Sequence, residues 1–231
     1  MRILLSVLVL ATFSAPADTA TRNFGVNGFD RIRVDGPYRV RIATGVAPFA
    51  TASAGSAGAL DGLAIDVQGR TLVIRNSRSS WGGYPGESSG PVEISIGTHE
   101  LSAAWVNGSG TLEIDKVRGL IFDLAVQGSG AARVGAVEVD QLKVSIGGTA
   151  AASLTGNAKK LTATVLGLSL LQATALSSKD ATFNVQGPGT VRATVTETAK
   201  VNVQGPSSVE LAGSPACTVK ASGSANVTGC R

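Results

Sequence analysis

The pentapeptide Val126-Gln127-Gly128-Ser129-Gly130 recurs as near-copies through the C-terminal half of the chain, and this recurrence restricts the fold more than any other feature. Aligned on the first glycine, the copies fall at Gly108, Gly128, Gly148, Gly167, Gly187, Gly205 and Gly223, separated by 20, 20, 19, 20, 18 and 18 residues. A period near twenty is the signature of a solenoid. Val106, Val126, Ile146, Val165, Val185, Val203 and Ala221 stand two residues before each glycine, and Ala104, Leu124, Val144, Ala163, Phe183, Val201 and Val219 stand four before it. Side chains alternate across a strand, so both sets point one way, inward. The column between them, Trp105, Ala125, Ser145, Thr164, Asn184, Asn202 and Lys220, is largely polar and points out.

Beyond the glycine the same logic repeats, with Leu112, Ala132, Ala152, Leu171, Val191, Val209 and Val227 inward and Glu113, Arg133, Ser153, Gln172, Arg192, Glu210 and Thr228 outward. Each repeat therefore reads as strand, glycine corner, strand and a more variable return. One coil cannot bury its own valines; coils stacked about 4.8 Å apart turn each column into an apolar ladder. The pattern predicts an all-β chain, a right-handed parallel β-helix-like solenoid of about seven coils over residues 101–231. An irregular N-terminal β section over 18–100 precedes it within one continuous structural unit. Gln186 above Gln204, and Asn184 above Asn202, are placed to form amide ladders. Leu166, Leu168 and Leu170 break the polar pattern and mark an apolar patch, read as covered by a local segment or as a partner surface.

The N-terminal section opens with Arg2, an apolar run from Ile3 to Phe13 and Ala15-Pro16-Ala17, which reads as a cleaved secretory signal over 1–17. No later run is long and apolar enough to span a bilayer, so an exported protein, periplasmic or at the cell surface, is expected. Strict alternation in Arg31-Ile32-Arg33-Val34 and Arg39-Val40-Arg41-Ile42 predicts two half-buried strands about Asp35-Gly36-Pro37. It gathers Arg31, Arg33, Arg39 and Arg41 on one outer face. A solvated strand face explains them without further function; an anion-binding stripe is the functional alternative. From Asn76 to Gly90 the pattern lapses into a loop carrying Trp81 and Tyr84, which either stack on sugar rings or cover a sheet edge.

Charge and cysteine content narrow the function class. The chain has 20 basic and 16 acidic residues, and one of the arginines lies in the leader. That surplus is too small to argue for nucleic acid or an anionic polymer, and export disfavours nucleic acid further. Cys217 and Cys230 are the only cysteines, and in an exported chain they predict a disulfide clipping the last coil.

No cofactor or metal set is visible. Calcium-binding β-rolls need a carboxylate recurring at every turn, and a glycan-cleaving solenoid needs paired carboxylates on one face. Asp115, Asp123, Asp140 and Asp180 fall in different columns, and His99 is the sole histidine, so the chain reads as non-catalytic. The glycine motif is no phosphate loop either, since such a loop opens a helix once per domain and this motif closes a β-corner seven times.

The sequence resembles the GIN-domain family, bacterial proteins described as heads of autotransporter adhesins. The resemblance runs from about Phe24 to the C-terminus. It is carried by Phe29 to Val34, Tyr38 to Gly45, Gly69 to Ile74, Val92 to Ile96, the Gly-Ser-Gly corners at Gly108 and Gly128, and Leu211-Ala212-Gly213-Ser214-Pro215. Gly148-Thr149-Ala150, Gly167-Leu168-Ser169 and Gly187-Pro188-Gly189 depart from it. It implies a parallel β-helix-like solenoid at the cell surface or in the periplasm. The functional expectation is a non-catalytic binding module for a glycan or another envelope protein; a structural or assembly module of the envelope is the alternative, with a glycan lyase or hydrolase behind both.

Overall fold

The computed structural model describes residues 19–77 and 91–231. Its N-terminal elements are β1 (Ala20–Phe24), β2 (Arg31–Asp35), β3 (Arg39–Thr44), β4 (Phe49–Ala54), the short helix α1 (Ala57–Asp61), β5 (Leu63–Gln68), β6 (Thr71–Asn76), β7 (Glu93–Thr98) and β8 (Ala103–Gly108). Five long, bent strands follow: β9 (Thr111–Gly128), β10 (Ala131–Gly148), β11 (Ala151–Gly167), β12 (Leu170–Gln186) and β13 (Thr190–Gln204). The chain ends with β14 (Ser208–Ala212), β15 (Ala216–Ser222) and β16 (Asn226–Thr228). All sixteen strands belong to one sheet wound into a solenoid.

The long strands pair in parallel, each one repeat above the last, with Val126 against Val106 and Ile146, and Val185 against Val165 and Val203. Burial follows the alternation but changes phase within a strand. In β9 the buried positions are Leu112, Ile114, Val117, Phe122, Leu124 and Val126, so the two-residue step is broken after Ile114 and again after Val117. Those breaks are bends, and with the glycine corner they give each coil three faces. We call them the pre-corner face (the segment ending at the glycine), the post-corner face and the return face.

The solenoid makes about six turns, where the repeat count predicts seven coils. Seven corner glycines enclose six intervals, and beyond the last corner, Gly223, the described strand is only the three-residue β16. All seven corner glycines have positive φ, from 76° at Gly167 to 105° at Gly108 and Gly128. A Cβ on Gly128 would stand 2.6 Å from the carbonyl oxygen of Gly108, so both conformation and crowding demand glycine there. The +2 position is as tight at the first corners, where a Cβ on Gly110 or Gly130 would stand 2.6 Å from a carbonyl oxygen of the coil below; later coils admit Ala150, Ser169 and Ser207 there, and both serines return their hydroxyls to backbone carbonyls at the corner.

The repeat begins earlier than the sequence pattern shows. β2 and β3 do not pair with each other; β2 pairs in parallel with β8, and β3 with β9, so the chain turns a solenoid corner at Gly36, φ 130°. Insertion of β4 to β7 between this coil and the next hides its membership in the series. The other N-terminal strands extend the stack, β6 beside β2 and β7 beside β3, while β1, β4 and β5 add antiparallel pairings at that end.

Inside, volume is traded between neighbouring ladders. One ladder runs Phe122, Leu142, Leu161, Ala181, Ala199, and the next runs Leu124, Val144, Ala163, Phe183, Val201; all are buried. Where the first shrinks to Ala181, the second grows to Phe183, which keeps the interior filled. Cys217 continues the first ladder above Ala199 and is disulfide-bonded to Cys230, so the clip ties the chain end across the unfinished coil.

Candidate functional site

Each face treats its charges differently. On the return face, pairs link successive coils: Arg118 to Glu138 at 2.7 Å, Lys159 to Asp140 at 2.7 Å and Lys179 to Glu197 at 3.5 Å. The post-corner face does the same with Arg41 to Glu113 at 3.3 Å and Arg192 to Glu210 at 2.9 Å. From β8 onward the pre-corner face carries Asp123, Lys143, Lys200 and Lys220, and among the described residues none of these is in an ion pair. Solvent-exposed pairs contribute little stability. The contrast is that from β8 onward the pre-corner face has no ion pair among the described residues, whereas each of the other two faces links successive coils with them.

That face is one continuous surface. From the N-terminal end it is built by β5, β6, β2 and β8, then by the last segments of β9 to β13, and finally by β15. Three outward columns run along it. The first holds Arg31, Ala103, Asp123, Lys143, Thr162, Thr182 and Lys200; the second Arg33, Trp105, Ala125, Ser145, Thr164, Asn184 and Asn202. The third holds Asp35, Asn107, Gln127, Gly147, Leu166, Gln186 and Gln204. Asn202 donates its amide to Asn184 at 2.9 Å, one rung of the expected ladder. Gln186 and Gln204 are exposed register partners with no side-chain hydrogen bond to each other. Gln127 lies over Gly147, where a Cβ would stand 2.3 Å from the amide oxygen.

Two depressions mark the face. The larger, about 470 Å³, lies at the N-terminal end and is lined by Arg33, Gln68, Val73, Arg75 and Asn76. Both arginines are engaged: Arg33 with Asp35 at 2.7 Å and Arg75 with Asp66 at 3.1 Å. Burial would raise the Asp35 pKa, but hydrogen bonds from Arg33 and Asn107 and the charges of Arg33 and Arg75 outweigh it and hold the carboxyl below its ordinary value. The hydrogen bond and charge of Asp35 in turn raise the Arg33 pKa.

The smaller depression, about 300 Å³, is lined by Trp105, Asp123, Leu124, Ala125, Lys143, Val144, Ser145, Thr162 and Thr164. Among the described residues its polar side chains make no hydrogen bond or ion pair. Asp123 Oδ1 is buried and has no hydrogen-bond partner, and the Trp105 indole N–H has no acceptor among the described residues. Chemistry, not size, selects this depression.

The four arginines are not gathered on one face. Arg31 and Arg33 sit on the pre-corner face, and Arg39 and Arg41 on the post-corner face, because the chain turns at Gly36 between them. All four have acidic neighbours: Arg31 with Asp30 at 3.9 Å, Arg33 with Asp35, Arg39 with Glu93 at 3.8 Å, and Arg41 with Glu93 and Glu113. That corrects the single basic stripe. Trp81, Tyr84 and the leader lie outside the described residues.

Sequence reasoning passed over Trp105 as one member of a polar column, and Asp123 because it was sought only as half of a carboxylate pair. Among the described residues no group of three or more His, Cys, Asp or Glu gathers to hold a metal. No described helix is long and apolar enough to cross a membrane. Leu168 is 65% exposed, so no described segment covers the apolar corner.

A parallel solenoid with one open polar face defines the class of protein. The chain belongs to the family described as "Putative auto-transporter adhesin, head GIN domain", whose model matches residues 28–215. Membership makes it an adhesin-like module and fits a surface or exported location. A "putative adhesin" from Bacteroides fragilis is 19% identical, with a TM-score of 0.81 over 91% of this chain and 96% of that one. One from Parabacteroides merdae is 17% identical, with a TM-score of 0.71 over 92% and 96%. A "Putative lipid binding protein" from Parabacteroides distasonis is 19% identical, with a TM-score of 0.66 over 92% and 98%. At these identities the likeness establishes the fold. No curated protein matches the chain.

Proposed function

We propose that the chain is an exported, non-catalytic binding module that holds an envelope or matrix glycan along its pre-corner face. The observation that carries the reading is the contrast between faces: two are laced by inter-coil ion pairs, while from β8 onward this one has no ion pair among the described residues and sets Asp123, Lys143, Lys200 and Lys220 beside columns of Thr, Ser, Asn and Gln. A flat array of donors and acceptors at a regular rise of about 4.8 Å suits a repeating polymer, which binds by many weak contacts rather than in one deep pocket. The test is a glycan array with peptidoglycan and lipopolysaccharide pull-downs. Selective retention by a polysaccharide supports the reading; no retention at high protein concentration contradicts it.

A structural or assembly role is favoured by one observation, the unpaired edge of β15 and β16. Val219 occupies an inward column yet is 43% exposed, and β15 and β16 each pair on one side only. Light scattering over a concentration series separates the readings, since growth of end-to-end oligomers marks assembly and a constant monomer mass argues against it.

A further inference from the structure

We propose that the depression around Trp105 and Asp123 is a saccharide subsite, taking one pyranose ring of a neutral glycan chain. The inference rests on the glycan-binding reading and deepens it by naming the residues and their roles.

Trp105 is half-buried in β8, fixed by its strand, with Arg33 and Ala125 as its register neighbours. Arg33 turns to Asp35, and Ala125 is too small to cover the ring, so an indole face is left beside the depression. The C–H face of a pyranose is apolar with slightly positive hydrogens, complementary to the negative face of an aromatic ring. One column over, Asp123 follows Ala103 and precedes Lys143. Its Oδ1 is buried without a donor, a state that native proteins rarely leave unrelieved. Sugar hydroxyls are donors of the right kind, and they reach this acceptor once the half-buried carboxylate turns about its last side-chain bond toward the depression. Ser145, Thr162 and Thr164 add hydroxyls that donate or accept, and Lys143 supplies one further donor.

The combination discriminates among ligands. A carboxylate beside the platform disfavours phosphate groups and anionic lipid headgroups, and a single aromatic among hydroxyls lacks the apolar core that a protein partner requires. A volume of about 300 Å³ is at the small end for ligand pockets and matches a ring held within a longer chain.

Asp123 also gives the proposal a readout that a structural residue would not. A buried, unpartnered carboxylate oxygen destabilises the free protein, so Asp123→Ala raises the thermal midpoint while removing the acceptor. Ala103 and Ala125, already present in adjacent coils, show that alanine fits the wall.

The experiment compares wild type, Trp105→Ala, Asp123→Ala and the return-face control Lys179→Ala on one glycan array, with thermal melts of each. The expected result is that Trp105→Ala and Asp123→Ala each weaken binding to the retained glycans by tenfold or more, Lys179→Ala changes it by less than twofold, and Asp123→Ala melts no lower than wild type. Wild-type binding unaffected by Trp105→Ala and Asp123→Ala overturns the subsite and leaves the module's function standing. Loss of binding in Asp123→Ala together with a lowered melt assigns Asp123 a structural role and also overturns it. A wild type that binds no glycan overturns both readings.

Discussion

Gly36 stands directly beneath Gly108: a Cβ built on Gly108 would lie 3.6 Å from the Gly36 nitrogen and 3.7 Å from its α-carbon. This contact places the first glycine corner one coil below the recognisable repeat and makes the N-terminal strands part of the same winding. The corner column, now eight glycines long, is the spine from which the outward columns take their register.

The spine predicts a graded response to alanine. At Gly128, φ is 105° and the new Cβ would press on the Gly108 carbonyl at 2.6 Å, so both strain and a backbone shift are imposed. Gly128→Ala should cost about 2–4 kcal/mol, the sum of a left-handed backbone penalty and local displacement. Gly69 also has positive φ, 63°, but nothing lies within 4 Å of its Cβ position, and Gly69→Ala should cost about 1 kcal/mol. Thermal unfolding of the two variants checks the order.

Asp35 predicts an acid-limb effect. Its folded pKa lies below the ordinary 3.8, so its contribution is fully present above that value and is lost as pH falls through the folded pKa. Asp35→Asn should melt lower than wild type at pH 7, by no more than about 3 °C for an exposed pair, with the difference closing below pH 3.8. Melts from pH 7 to pH 2 read this directly, and a gap that widens on acidification contradicts it.

The Cys217–Cys230 bond, closing a separation of 13 residues, should act locally. A loop of this size is worth about 3 kcal/mol in the chain-entropy account. In a stack where coils touch only their neighbours, the loss falls on the end coil. Reduction should therefore speed amide exchange in β15 and β16 and leave β10 to β12 protected. Uniform acceleration along the chain would show a global role instead.

Much of this architecture is legible in the sequence because its cause is local and repeated. Inward valines two before each glycine and a positive-φ corner recur often enough to set register by themselves. Gly36 was not legible as a corner, since β4 to β7 intervene before the next coil and no period connects it to Gly108. The arginine stripe failed for the same reason: alternation says which side of a strand a residue faces, but not that the chain turns to another face at Gly36. The depression was hidden differently. Trp105, Asp123 and Lys143 come from three successive coils and share a site only through lateral register, so no linear motif joins them. Their availability is visible only against the ion pairs on the other two faces.

The central claim, that the pre-corner face is the binding surface, is tested most directly by mapping amide chemical shifts in the ¹⁵N-labelled protein as a retained glycan is added. The account predicts perturbations concentrated at residues 103–107, 123–127, 143–147 and 162–166, with Arg118, Glu138, Arg192 and Glu210 on the other faces unmoved. Perturbations centred on those ion-paired faces, or on β15 and β16, would contradict it.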